Sequence, residues 1–381
     1  MNHVRHVVVA AVAALTFAVS PVAPAEAAAV SPTPVLGAGV NGDVYAMAYH
    51  DGSFYFGGDF TAARDDDAQV ERLRLAAVSA ETGRLRSFAP RLDGPVYAMT
   101  VDGDHLYLAG AFTQIDGLPA ERVARLELDS GELDQGFAVS VDALPRALAV
   151  YDGRLYVGGN FNSVNGEPRG KIAAVRTDSG ALDADFRPVF DSGVRDVHAA
   201  HGKLYVAGGF TTVDGAAHRR IAALDPATGA VESGFVPAAR GMVYDVETSS
   251  DRLYAAVGGP GGHVQAFERD GSLAWERSSD GDVESVALHD GHVYAGGHFD
   301  QVCSVADTGP DERCRPEDLR PAGKMFALDV AGELLDWNPG ADSARGVTSV
   351  ETGSGAVAAG GTFATMGYGT LDQPRVAVFR Q

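Results

Sequence analysis

Apolar residues along this chain fall in short runs that close on paired glycines, and the same run returns seven times. YFGGDF at Tyr55–Phe60 recurs as YLAGAF at Tyr107–Phe112, YVGGNF at Tyr156–Phe161, YVAGGF at Tyr205–Phe210 and YAGGHF at Tyr294–Phe299. Degenerate copies start at Tyr254 (YAAVGG) and Ala358 (AAGGTF). Eleven residues before each start stands Val44, Val96, Pro145, Val194, Val243, Val283 or Val347, with a second apolar residue three positions further on. Turns such as HDG, YDG and HGK separate the two apolar stretches, which predicts a hairpin at the head of every unit. The constant spacing of eleven leaves no room for insertions.

Each hairpin is followed by a loop, built on D-G or N-G at Gly117, Gly166 and Gly215, and then by a basic residue opening a third strand, as in Arg220-Ile-Ala-Ala-Leu. A polar turn ending in glycine leads to a fourth strand that carries an aromatic: Phe88, Phe137, Phe186, Phe235, Trp275 or Trp337. Starts are separated by 52, 49, 49, 49, 40 and 64 residues. Four short strands repeated at that period are a β-propeller blade and not a helical repeat. The expected fold is therefore all-β, a seven-bladed β-propeller of four-stranded antiparallel blades. The seventh unit ends after its third strand, and Leu36 stands eight residues before Val44, as Phe88 stands eight before Val96. Residues 30–38 are expected to complete the last blade and close the ring.

Residues 1–27 carry Arg5, an apolar run from Val7 to Val19 and small residues at Ala25 and Ala27, the layout of a secretory signal peptide. Residues 28–381 are then one exported domain, secreted and expected as a monomer, with no further stretch apolar and long enough to span a bilayer. Cys303 and Cys314 lie in an insertion over residues 300–324 of the sixth unit. In an oxidising compartment the two are expected to form a disulfide, worth about 3 kcal/mol on a loop of this kind. The 51 acidic against 30 basic residues give a net charge of −21, which disfavours nucleic acid as a partner.

The ordered elements Y-x-G-G-x-F, R-[IV]-A-A-[LV] and T-G-x-L-x-x-x-F resemble the delta-60 repeat family of bacterial β-propellers, with a kelch-like glycine doublet. More distantly they resemble fungal bud-site-selection proteins. The resemblance covers about residues 30–381. It implies the propeller fold, and no catalytic residues to carry over, since members of that family are largely of unknown function.

No hydrolase, zinc-protease, phosphate-loop or Asp-box motif is present, so no catalytic set is assigned and no cofactor is expected. Candidate chemistry lies instead in one variable position. The residue after the first strand's leading apolar position is Tyr45, Tyr97, Arg146, Arg195, Tyr244, Glu284 or Thr348. A purely structural slot would repeat one residue type; aromatics, guanidinium groups and a carboxylate at one place suit an axial ligand site, although inter-blade packing explains them as well. Tyr faces stack on sugars and Arg clamps anions or hydroxyl-rich groups. This points to an extracellular or cell-wall glycan or a protein partner, with a polysaccharide-acting lyase or hydrolase, or a scaffold with no small ligand, as alternatives. The recurrent acids Asp93, Asp142, Asp191, Asp280 and Asp342, with Asn41, read mainly as turn residues, secondarily as a cation or sugar-hydroxyl site. Asp65, Asp66 and Asp67 leave Ca²⁺ open, and His198 and His201 read as surface.

Overall fold

A spacing of eleven is the length of a tight hairpin, and each first strand indeed pairs antiparallel with the strand that ends in the glycine doublet, Val44 opposite Gly58 and Val194 opposite Gly208. The computed structural model describes residues 29–66, 68–259, 261–305 and 314–381. The expected signal peptide lies outside these residues. At the hairpin tips Asp152–Gly153, His201–Gly202 and Asp290–Gly291 have positive φ at both positions, the two-residue turn whose twist matches the flanking strands.

The inner strands are Asp43–His50, Val96–Asp102, Pro145–Tyr151, Val194–Ala200, Met242–Thr248, Val283–His289 and Val347–Gly353. Each heads one of seven antiparallel sheets among the described residues. Each inner strand packs against the next, and the last packs against the first. This radial closure is that of a β-propeller. Six sheets also carry a short hairpin between their second and third strands, such as Gln114–Ile115 with Leu118–Pro119, on the face where the inner strands begin.

The glycine doublet lies where neighbouring sheets come closest. A Cβ on Gly158 would lie 2.5 Å from Val194 Cγ1 of the next sheet, and one on Gly159 would lie 2.5 Å from the Leu144 carbonyl. Between the sheets the repeat's Tyr meets the outer aromatic edge-on or tilted: Tyr107 with Phe137 at 5.5 Å, Tyr156 with Phe186 at 5.3 Å, Tyr294 with Trp337 at 5.0 Å. Both Trp residues thus fill the aromatic slot of the repeat.

The outer strands are weaker than the expected four-stranded blades. A fourth strand is laddered over Leu273–Ser278 in the fifth sheet and over Val139–Ser140 in the second. Elsewhere the outer segment touches the third strand through single bridges such as Val78 with Leu85 and Val175 with Leu182. At the rim the segment has a partner on one side only, and its aromatic anchors it through ring contacts instead of a ladder.

The segment before Gly39 runs beside the last strand, Val376–Arg380. Ser31 N donates to Arg380 O at 2.7 Å and Val35 N to Val378 O at 2.8 Å. Leu36, aligned by spacing with the outer aromatics, is 61% exposed. The segment's buried residues include Ala38 and Val30, the latter packed with Tyr294 and Trp337, its N–H donating to Tyr294 Oη at 3.1 Å. Cys303 and Cys314 form a disulfide with Cα atoms 5.7 Å apart. No helix among the described residues is long and apolar enough to cross a membrane.

Candidate functional site

All seven inner strands slip register at the same step, immediately after the leading apolar residue: between Val44 and Ala46, Pro145 and Ala147, Val194 and Asp196, and so around the ring. A bulge sets two successive residues against one partner and re-aims their side chains. The residue inside the bulge and the one after it therefore both line a cavity on the axis, joined by the position two further along. The cavity measures about 540 Å³, and its lining includes Tyr45, Tyr97, Arg146, Arg195, Tyr244, Glu284 and Thr348. The structure gathers every residue of the variable position into one mouth, on the face that carries the short hairpins.

Within the mouth the side chains are ordered by one another. Tyr45 and Tyr97 stack with centroids 5.4 Å apart, and the Arg146 guanidinium lies 4.4 Å from the Tyr97 centroid. In ring order Tyr97 lies between Tyr45 and Arg146, so its ring is engaged by both neighbouring strands. Tyr97 thus lies between a second tyrosine ring and a guanidinium. Arg195 lies 5.6 Å from the Tyr244 centroid, and the Tyr244 hydroxyl donates to Asp282 Oδ2 at 3.4 Å. Thr348 is spent on the Val44 carbonyl at 2.5 Å. Burial lowers the Arg146 pKa, and the neighbouring Arg195 charge lowers it further. Arg146 Nε is buried without a hydrogen-bond partner among the described residues.

Below this layer lies chemistry that the repeat pattern had not singled out. Asp196, Asp245 and Ser285 follow the bulge in the fourth, fifth and sixth sheets, and each reaches the next sheet. Asp196 accepts from Val246 N at 3.0 Å, Asp245 from Val286 N at 2.9 Å and from Ser285 Oγ at 2.8 Å, and Ser285 Oγ accepts from Val350 N at 3.0 Å. Burial, then the adjacent Asp245, pushes the Asp196 carboxyl well above the carboxylate range. Two positions deeper, burial pushes Glu247 up to about 7 and Glu351 up to about 8, and it raises Glu284 at the mouth to about 7. His198, expected at the surface, also lines the cavity, its Nε2 3.0 Å from Thr248 Oγ1 and 3.4 Å from Glu247 Oε1, while His201 is exposed. The signal was in the sequence: the equivalent positions are Ala46, Ala98 and Ala147 in the first three units and polar only from the fourth onward.

The recurrent acids are elsewhere and are structural. Asp93 Oδ1 accepts from Thr113 N and Gln114 N at 2.7 and 3.0 Å, and Asp142, Asp191, Asp280, Asp342 and Asn41 repeat that staple on their own loops. The Thr211 hydroxyl helps pull Asp191 down to about 2. In each of these residues one side-chain oxygen accepts from two successive loop N–H groups. Asp65 and Asp66 pair with Arg84, and Asp67 lies outside the described residues. His105, Glu127 and Asp134 bring ligand atoms within 4.8 Å of one another, but Asp134 is paired with Arg125.

A family model described as "Domain of unknown function (DUF5122) beta-propeller" matches residues 104–137 and 152–186, within the second and third units. No curated protein matches the chain. Among solved structures, the WD40 β-propeller domain of Doa1 is similar at 12% identity and a TM-score of 0.57, over 91% of this chain and 97% of that one. The computationally designed Ika8 protein is similar at 13% identity and a TM-score of 0.53, over 93% of this chain and all of the other. At such identities the likeness speaks to fold alone. Family match, structural likeness and sheet arrangement agree that the chain is a β-propeller.

Proposed function

We propose that this is an exported, monomeric binding module: one seven-bladed ring over residues 28–381, closed by residues 30–38, that takes an extracellular or cell-wall glycan or a protein partner in its axial mouth. The observation that carries this is the pair Arg146 and Arg195, which have no ion-pair or hydrogen-bond partner among the described residues and face a cavity of about 540 Å³. Cavities of ~300–1,000 Å³ with a few converging polar groups are the common form of a ligand site. A glycan array and a cell-wall pull-down test it. A ligand is expected in at least one, and Tyr97→Ala combined with Arg146→Ala should weaken capture at least tenfold. Blank results in both, or capture untouched by the double substitution, would end the proposal.

A second reading is a lyase or hydrolase acting on polysaccharide. It is favoured by Glu284, a carboxyl raised to about 7 and so matched to proton transfer near neutrality, beside Arg195. Incubation with polysaccharides, with and without Ca²⁺, separates the two: release of product marks an enzyme.

A further inference from the structure

Several partly buried cations of this chain have acidic partners. Arg154 pairs with Asp183 at 2.8 Å, Lys324 with Asp300 at 2.7 Å, and Arg125 and Arg240 with Asp134 and Glu276. Arg146, half-buried, and Arg195, exposed at the mouth, have no such hydrogen-bonded partner among the described residues; each lies against an aromatic ring instead. They project from adjacent inner strands into one cavity, where the Arg195 charge disfavours that of Arg146. Stacking on Tyr holds a guanidinium in place while leaving its N–H groups free, and a shared anion would supply those bonds and relieve the repulsion.

The part of the ring formed by the fifth, sixth and seventh inner strands has the reverse character. Glu284, Glu247, Glu351 and Ser349 line it, all acceptors or protonatable acceptors. A ligand that fits both walls carries a single negative charge at one end and several hydrogen-bond donors on the rest. A dianionic phosphate would meet these acids at a larger electrostatic cost than a carboxylate. A peptide tail offers a carboxylate but about one N–H per residue, where a sugar ring offers several hydroxyls.

We propose that the axial mouth recognises a carboxylated sugar of the uronic-acid type, its carboxylate on Arg146 and Arg195 and its hydroxyls on the Glu284, Glu247 and Glu351 wall. This rests on the reading of the mouth as a binding site and names the ligand class for it. The probes are trisaccharides ending in glucuronate, galacturonate or mannuronate, each beside its carboxyl-reduced counterpart, titrated calorimetrically into the full chain. At least one acidic sugar is expected to bind, with its reduced counterpart at least tenfold weaker and the acidic affinity falling with added salt. Arg146→Met and Arg195→Met should each weaken the acidic sugar at least tenfold and leave the reduced one unchanged, while Arg219→Met, an exposed site away from the cavity, should match the parent. Arg146→Lys keeps the charge without the fork and should fall between. Thermal unfolding midpoints of all variants, measured alongside, separate lost recognition from lost folding.

Equal affinity for acidic and reduced sugars overturns the inference. So does absence of binding below about 1 mM for every acidic probe, or tighter binding of a sulfated sugar or of a peptide with a free C-terminal carboxylate. If neutral glycans or a protein are captured through Tyr97 and Arg146 while acidic sugars are not, the binding-module reading survives and this one fails. If no class of ligand is captured, both fail.

Discussion

At the level of single residues, the axis of this propeller gathers acids under conditions that keep some of them protonated near neutrality. Glu351 is the extreme case: enclosed by the ring and facing other acids, its carboxyl rises from 4.5 to about 8, with burial the leading cause. In the unfolded chain the same group loses its proton above about pH 4.5, so between there and pH 8 the native state binds more protons than the unfolded one. Stability contributed by that proton is complete below about 4.5 and drains away as pH rises towards 8; Glu247 and Glu284, raised to about 7, push the same way. The unfolding midpoint is therefore expected to fall from mildly acidic to mildly alkaline pH. Glu351→Gln, which keeps an acceptor for the Thr352 N–H, should flatten the alkaline part of that fall. A variant whose midpoint tracks the parent across the whole range would contradict this account. The mouth residues were legible because one position varied inside a rigid repeat; Asp196 and Asp245 carried a like signal one position later, but alternation assigns one face per strand and so hid that the bulge turns both positions, with Glu247 and Glu351 deeper along their strands, towards the axis.

At the level of the element, the repeat works because each hairpin is built to touch its neighbour's backbone. The basic residues that open the third strands illustrate how a local cost is offset: Arg74, Arg122, Lys171, Arg220, Lys324 and Arg375 all hold φ between 68° and 75°, a conformation usually left to glycine. Several of their side chains reach acids or carbonyls, Arg74 to Asp59 at 2.8 Å and Arg122 to the Val141 carbonyl at 2.8 Å, and that exchange accounts for a recurring cation where a glycine would be cheaper in backbone terms. The doublet gives a sharper test. Because a methyl on Gly158 would lie 2.5 Å from Val194 Cγ1, Gly158→Ala is expected to cost about 1–3 kcal/mol by overpacking. Adding Val194→Ala removes the blocking methyls, so the pair should lose less than the sum of the two single changes in denaturant unfolding. Strict additivity would show that the sheets do not meet through this contact. Hairpins and doublets were readable from spacing alone; the thinning of the outer strands was not, because an aromatic at the right interval marks where a segment docks and says nothing about whether its backbone forms a ladder.

At the level of the whole molecule, stability hinges on how the ring shuts, because a propeller opened at one seam exposes a sheet edge and the apolar faces of two sheets. The seam here lies between the first and last sheets, whose inner strands pack directly on each other, and the segment before Gly39 covers it from outside. Its anchor is Val30, which is 1% exposed among Tyr294, Trp337 and Phe379. Full burial of a valine is worth about 1.5–3 kcal/mol, and the backbone bonds to Arg380 and Val378 add to it. The eight-residue spacing pointed to this stretch through Leu36, yet Leu36 faces solvent: the segment meets a neighbour with no outer strand of its own to copy, and its contacts are set by the gap beside Trp337 instead of by the repeat. A chain beginning at Gly39 should therefore unfold at lower denaturant than one beginning at Ala28, by at least about 3 kcal/mol, in a single transition that lowers every sheet together. Val30→Ala in the longer chain should reproduce part of that loss. If removal of the segment leaves the midpoint where it was, the ring is held by its inner strands alone and the N-terminal segment is a passenger. If instead the transition splits in two, the last sheet melts separately and closure is not what couples the sheets.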